Sequence, residues 1–533
     1  MTNAAERSLS QVWDVIIVGT GMGGATVGYA LAQKKLSVLF LEKGGIVATG
    51  QTQNSANTPA SRIQNGWWPQ PFSQTNPEGR HKQIYAAIGC GFGGSSMHYA
   101  AALERMPATD FDALQTTHQL VPCWPIPYKD FSPYYEAAEK LYGINNADDS
   151  YHLRLSEWDQ ALITTMRSAG LKPEQLNIGM KYDKECTECI SKICHRSCKA
   201  DSHTTCLKKA LLLNNCFLLD FCDVEKLEAD QHEVKFIHAT YQGQSIKLRG
   251  KVVVLSAGAL HSPQLLLKSA NAYWPNGLAN ASNQVGRNLM FHGYEIYAIW
   301  APKRFNKIGL QKKSISIRDF YLYAGCRLGY IQSMGLSAGP GDIASFIKNR
   351  LRYSGIHHEL LLSIIAKIPS YLIARFLGEA SIFAALIEDD PNPDNQIKLN
   401  VKEPNGATFN YTITDDLRER ANTLYRTFIK YIGKWRVLRI SPTLEFNSGH
   451  PAGTCRFGND PATSVLDANC RSHDIHNLYV VDASFMPRSG AVNPSLTIAA
   501  NALRVADKIA ENFSAALKIK KPAFQRASKK VII

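Results

Sequence analysis

A short apolar strand ending in a glycine turn is the feature that most limits how this chain can fold. Asp14-Val15-Ile16-Ile17-Val18 runs directly into Gly19-Thr20-Gly21-Met22-Gly23-Gly24. A helical pattern follows over 23–33, and Ser37-Val38-Leu39-Phe40-Leu41 reads as a second strand that stops at Glu42. The spacing predicts a β-α-β unit of about 30 residues, the length such a crossover needs. Each glycine has a mechanical reason. Gly19 permits the tight turn, Gly21 lets backbone approach a pyrophosphate, and Gly24 lets helix and strand pack closely. The helix N-terminus offers unpaired N–H groups to phosphate. Glu42 is placed to accept from a ribose 2′-OH and to repel a 2′-phosphate.

The same pattern returns far along the chain. The apolar run 251–255 reaches Ala257-Gly258-Ala259, after which Ser262 is expected as N-cap and Pro263 at the first helical position. Leu478-Tyr479-Val480-Val481 is another buried strand, and a long helix is expected to about residue 513. A cofactor unit assembled from these pieces must be discontinuous.

Charge and cysteines narrow the partners. The net charge is +14, but Lys518, Lys520, Lys521, Arg526, Lys529 and Lys530 crowd the last sixteen residues. That reads as a solvated basic tail, and no nucleic-acid module accompanies it. Residues 1–13 lack the apolar core of a secretory signal. The greasy stretch 360–387 is broken by Lys367, Pro369, Arg375 and Glu379. A spanning helix needs about 20 nearly uninterrupted apolar residues, so no transmembrane span is expected. The stretch is expected to be a core or pocket-lining helix pair, with contact at a membrane surface as the second option. The twelve cysteines read as thiols in a reducing, cytoplasmic compartment. Four of them, Cys186, Cys189, Cys194 and Cys198, have a spacing that can hold zinc or an iron–sulfur cluster. It matches neither a zinc ribbon nor the usual ferredoxin run, and plain solvation is the other reading.

Taken in order, these segments resemble the glucose-methanol-choline (GMC) family of flavin oxidoreductases. The likeness is carried by the opening fingerprint, by Gly89-Cys-Gly-Phe-Gly-Gly-Ser-Ser96 and by Trp124-Pro-Ile-Pro-Tyr128. It continues through Ala257-Gly-Ala-Leu-His-Ser-Pro-Gln-Leu265, Val285-Gly-Arg-Asn-Leu-Met-Phe-His292 and Glu388-Asp-Asp-Pro-Asn-Pro-Asp-Asn395. His450-Pro-Ala-Gly-Thr-Cys-Arg-Phe-Gly458, Val481-Asp-Ala-Ser484 and Asn493-Pro494 complete it. Residues 145–215 and 300–385 carry little of it.

The resemblance implies an α/β fold: a Rossmann-like, three-layer FAD-binding domain and a substrate domain with a mainly antiparallel sheet covered by helices. The cofactor domain would comprise 11–110, 205–300 and 441–515. The substrate domain would comprise 111–204 and 301–440, with a cysteine-rich insert at 186–206, leaving 516–533 as tail. It also implies FAD in the glycine cradle, with Gly93, Gly94 and Ser95 along the flavin and Val224 holding adenine through backbone. Ala257, Gly258 and Pro494 would border the cofactor. Asp482 would lie near the ribityl and pyrophosphate, unless it only caps a turn.

Oxidising an alcohol with a flavin needs a base for the hydroxyl proton and an acceptor for hydride. Imidazole has the unperturbed pKa nearest neutrality, but with fifteen histidines present only the family frame singles out His450. In that frame His450 is the base and Asn493 its partner at the substrate oxygen, while His292 and His261 read as structural. Asn493 followed by Pro494 also reads as an N-cap, aiming the positive end of the last helix at the reduced flavin. One departure stands out: Met97-His98-Tyr99 replaces an asparagine common in the family. His98 falls where a few members attach flavin covalently; a flavin-side histidine without a bond is the plainer reading. The expected substrate is a small-molecule alcohol, and the acceptor is oxygen or a carrier. The alternatives are a non-redox family lyase with structural FAD, and a metal-stapled electron-transfer flavoprotein.

Overall fold

The computed structural model describes residues 9–46, 62–63, 66–75, 81–115, 120–121, 123–144, 155–181, 193–194, 196–300, 312–335, 343–344, 347–348, 351, 358–378, 380–441 and 443–519. The continuous apolar run at the start becomes the strand Val12–Val18, buried on both faces as a parallel-sheet strand must be. It lies between Val38–Leu41 and Gln244–Leu255, and Cys216–Leu219 and Leu478–Val480 extend the parallel sheet on either side. Gln244–Leu255 serves two layers. Residues 249–255 pair in parallel with the first strand, whereas 244–248 pair antiparallel with Val234–Tyr241, which in turn meets Cys222–Ala229. The helix Met22–Gln33 packs against the last helix, Ser495–Ile519, and Lys34 meets Asp507 at 3.0 Å. Helices, parallel sheet and meander form the three layers, and residues from both ends of the chain build them.

A second sheet, antiparallel throughout the described residues, has the order Arg436–Arg439, Gly293–Trp300, Ala380–Ile387, Tyr330–Ser333, Ile315–Ile317 and Glu174–Gln175, with Glu445–Phe446 beside Gly293–Trp300. Gly293–Trp300, the end of the segment 205–300, thus lies in this sheet and not in the cofactor layers. Side chains alternate between its faces. Phe383, Ala385 and Ile387 pack with residues of Glu157–Ser168 and Asp415–Tyr431. On the other face, Ala380 and Ile382 pack with Ala374 and Leu377 of the helix Glu359–Leu377. The apolar run 360–387 is therefore a helix followed by a fully buried strand, not a helix pair.

A buried ionic knot joins the two sheets' segments. Arg488 meets Glu388 at 2.8 Å and also donates to the carbonyls of Asp110 and Asp112. Asp110 in turn pairs with Arg327.

Candidate active site

The strand ends and both glycine turns open onto one cavity of about 1370 Å³. Ordinary small-molecule pockets run to about 300–1,000 Å³, so this one has room for an extended dinucleotide. Gly19 takes a φ of +95°, and a Cβ on Gly24 would collide with the Gly19 carbonyl. Gly94, with φ of +51°, lies against Gly21: a Cβ there would sit 3.0 Å from the Gly21 Cα. The two glycine turns therefore touch, and backbone forms the floor. Along the same cavity Trp68 Nε1, His98 Nε2, Ser256 Oγ and Asn493 Oδ1 are buried without a hydrogen-bond partner among the described residues. Buried polar atoms are normally paired, so a polar, elongated ligand is what this surface fits. FAD meets that description.

All of the expected cofactor residues except Gly24 and Gly93 line the cavity, but several do so differently than their types suggest. Glu42 accepts from Thr20 N at 3.0 Å and Thr20 Oγ1 at 2.7 Å, and from Gly44 N and Gly91 N at 3.0 Å each. A carboxylate has about four acceptor sites, and here all are filled. Glu42 thus ties the two glycine turns together from within the cavity wall. Burial pushes its pKa up and these four donors pull it back. Asp482 is similar: it caps a short turn through Ser484 N at 2.9 Å and accepts from Gly258 N at 3.0 Å and Ser262 Oγ at 2.5 Å. Ser262 is consequently not an N-cap; the helix His261–Lys268 begins before it, with Leu260 in that place. Gly93, at φ +87°, precedes the short turn Gly94–Met97, and Ser95 Oγ accepts from Gly89 N at 2.9 Å. Val224 sits where the pairing with Val234–Tyr241 slips register. Ala257 N donates to Ser262 Oγ at 3.2 Å, below the fingerprint.

His98 is held strongly neutral, its pKa pushed down to about 3 by burial and by the nearby charges of Arg62 and Lys199. Lys199, in the cysteine-rich insert, donates to the Met97 carbonyl at 2.9 Å and the Tyr99 carbonyl at 3.1 Å, so it fixes the backbone around His98. Cys186 and Cys189 lie outside the described residues. Among the described residues no group of three or more His, Cys, Asp or Glu has metal-binding geometry. Cys206 is a core thiol, 3.6 Å from the Tyr142 hydroxyl and pushed up to about 11 by burial.

His450 and Asn493 reach the same cavity from segments 43 positions apart. Pro494 O accepts the first helical bond, from Ile498 N at 3.0 Å, so Pro494 takes the N-cap place expected of Asn493. The Asn493 amide is thereby left free of capping. His292, read from sequence as structural, is the residue that reasoning missed. Its Nδ1 lies 2.8 Å from His450 Nδ1, and its Nε2 lies 3.2 Å from the Ser489 carbonyl. A carbonyl only accepts, so His292 carries its proton on Nε2, and its Nδ1 accepts from His450. Neutral His450 then keeps its lone pair on Nε2. The Asn447 amide nitrogen is the more distant neighbour of His450 Nδ1, at 3.3 Å. Burial, then His292, then Lys313 hold the His450 pKa well below the usual histidine range. At neutral pH this imidazole is an unprotonated base. The far wall of the cavity is made of side chains, among them Tyr294, Lys313, Gln332, Met334 and Leu386.

A family model described as GMC oxidoreductase matches residues 13–294, and a second of the same description matches 391–502. The chain is 27% identical to 6'''-hydroxyparomomycin C oxidase of Streptomyces lividus, over 95% of this chain and 92% of that one. It is likewise 27% identical to 2-methyl-1,2-propanediol dehydrogenase of Mycolicibacterium austroafricanum, over 96% and 97%. Among solved structures, pyridoxine 4-oxidase from Mesorbium loti superposes with a TM-score of 0.64 at 19% identity, over 94% of this chain and 99% of that one.

Proposed function

The chain belongs to the GMC oxidoreductases, FAD-dependent enzymes acting on CH–OH donors, and on that premise we propose that His450 is the general base of an alcohol oxidation. The observation that carries this is the His292–His450 contact, which leaves a neutral imidazole with its basic nitrogen on Nε2 at the cavity. His450 takes the hydroxyl proton as the carbinol C–H bond breaks and the carbonyl forms. Asn493 holds the substrate oxygen without competing for its proton. FAD supplies, when bound, the two-electron acceptor for the hydride that leaves the carbon. The glycine turns at 19–24 and 93–94 would hold it through backbone, and the N-terminus of the helix Ser495–Ile519 would offer positive potential to its reduced form. The unpaired polar atoms along the cavity support this placement.

The test is an anaerobic screen of alcohols, polyols and sugars against the purified holoprotein, read in the flavin spectrum. Bleaching by a CH–OH donor is expected. A yellow protein that turns over a substrate without bleaching would be a lyase, and the redox reading would fail. The cytoplasmic setting inferred from the cysteines is part of the same proposal. Zinc or an iron–sulfur cluster at Cys186, Cys189, Cys194 and Cys198 is supported by spacing alone, and metal analysis of the same sample tests it.

A further inference from the structure

The helix Glu359–Leu377 is built inside out for a protein surface. Its 19 residues span about 28 Å at 1.5 Å each. Leu362, Ala366, Ser370, Ala374 and Leu377, four or three apart, form one narrow buried stripe. A surface helix ordinarily turns polar residues away from that stripe. Here Leu360, Ile364, Ile368, Tyr371, Leu372 and Phe376 are exposed instead, Ile368 to 70%. Apolar patches of this extent mark a binding surface.

Charge says what covers it. Between 360 and 377 the helix carries two cations, Lys367 and Arg375, both exposed, and no acid. At its C-terminal end the Arg436 guanidinium lies over Trp300 at 4.7 Å and over Phe376 at 5.0 Å. A second copy docked by a twofold axis through the middle of this face would set positions 367 and 375 against each other, cation to cation. An anionic lipid surface gives both the apolar layer and the countercharge, and aromatic and basic side chains suit its headgroup level. Ala374 and Leu377 fix the C-terminal end of the helix to the antiparallel sheet, and Leu362, Ala366 and Ser370 are buried along the same stripe, so the helix lies on a bilayer and does not cross it.

We propose that this face docks the enzyme on the surface of an anionic lipid bilayer, with the helix in the membrane plane. The docking face adjoins the reaction chamber. Ala380 and Ile382 pack beneath the helix, while Ala384 and Leu386, on the same face of the same strand, line the cavity. Met334 does both.

Flotation of the holoprotein with vesicles tests this. Strong co-flotation is expected with equal parts phosphatidylcholine and phosphatidylglycerol, and weak co-flotation with phosphatidylcholine alone. The pair Ile368→Glu and Leu372→Glu should cut binding at least about tenfold, because the charges must leave the acyl boundary. The pair Lys367→Gln and Arg375→Gln, which alters no buried contact, should cut it about tenfold at low salt. Both double variants should keep their flavin absorbance and their activity on a water-soluble alcohol. The proposal is overturned if the wild type stays in solution, if both double variants float like wild type, or if the face instead supports a concentration-dependent dimer that Ile368→Glu dissolves.

Discussion

The cavity has two walls made by opposite means. On the cofactor side the surface is backbone: positive-φ glycines, amide N–H groups and carboxylates that tie one turn to the next. On the substrate side it is side chain: Tyr294, Gln332 and Leu386, carried on strands whose other face is ordinary core, with Lys313 and Met334 beside the strand ends. The backbone wall tolerates little change at Gly19 and Gly24, where a single added carbon strikes a neighbouring carbonyl. A side-chain wall can be rebuilt residue by residue without disturbing the sheet beneath it. The first therefore keeps one ligand while the second is open to many.

The hinge between the walls is His450, and the largest effect is expected there. His450→Gln should slow flavin reduction by alcohol about 10²–10⁴-fold and leave the bound flavin spectrum unchanged. Stopped-flow reduction measures this, and an unimpaired rate would remove His450 from the reaction. The backbone wall comes next. Gly24→Ala forces a close contact costing about 1–3 kcal/mol, so flavin retention, read from the absorbance ratio, should fall roughly tenfold to a hundredfold. Stoichiometric flavin in that variant would break the contrast between the walls.

Smaller effects sharpen it. His292→Phe removes the acceptor for His450 Nδ1–H, worth about 0.5–1.5 kcal/mol net, and should cost about three- to tenfold in rate. It also removes a neighbour that holds the His450 pKa down. Because the base works unprotonated, its rate is flat near neutrality and is lost as pH falls through the lowered pKa. Raising that pKa moves the acid limb to higher pH. His292→Asn, which retains an acceptor oxygen, should recover most of the rate; equal loss in both variants would make His292 merely structural. Smallest is Lys313→Met, with unchanged flavin content and a slight upward move of the same acid limb, since Lys313 is the weakest of the three causes. A downward move would contradict the electrostatics.

The contrast also explains what was legible. Gly19 and Gly24 are visible in sequence because only glycine fits, and the parallel strands are visible because burial on both faces leaves an unbroken apolar run. Glu42 and Asp482 were recognisable as residues of the site, yet their work inside the protein depends on Thr20, Gly91 and Ser262, which nothing in the pattern ties to them. His292 and His450 are 158 positions apart, and no local signal reports that their rings meet. The stretch 360–387 misled because an apolar run does not reveal its period once a helix gives way to a buried strand. The exposure of its helical half follows from a stripe one residue wide, which hydropathy cannot show.

The partnership of the helices Met22–Gln33 and Ser495–Ile519 has a consequence for biosynthesis. During translation the glycine turn emerges long before the wall behind its helix, which is encoded more than four hundred positions later. Until that later helix clears the ribosome, the nascent cradle has an open flank. Loading of the prosthetic group is thus a step that waits for that helix, and the growing polypeptide needs shelter in the interval.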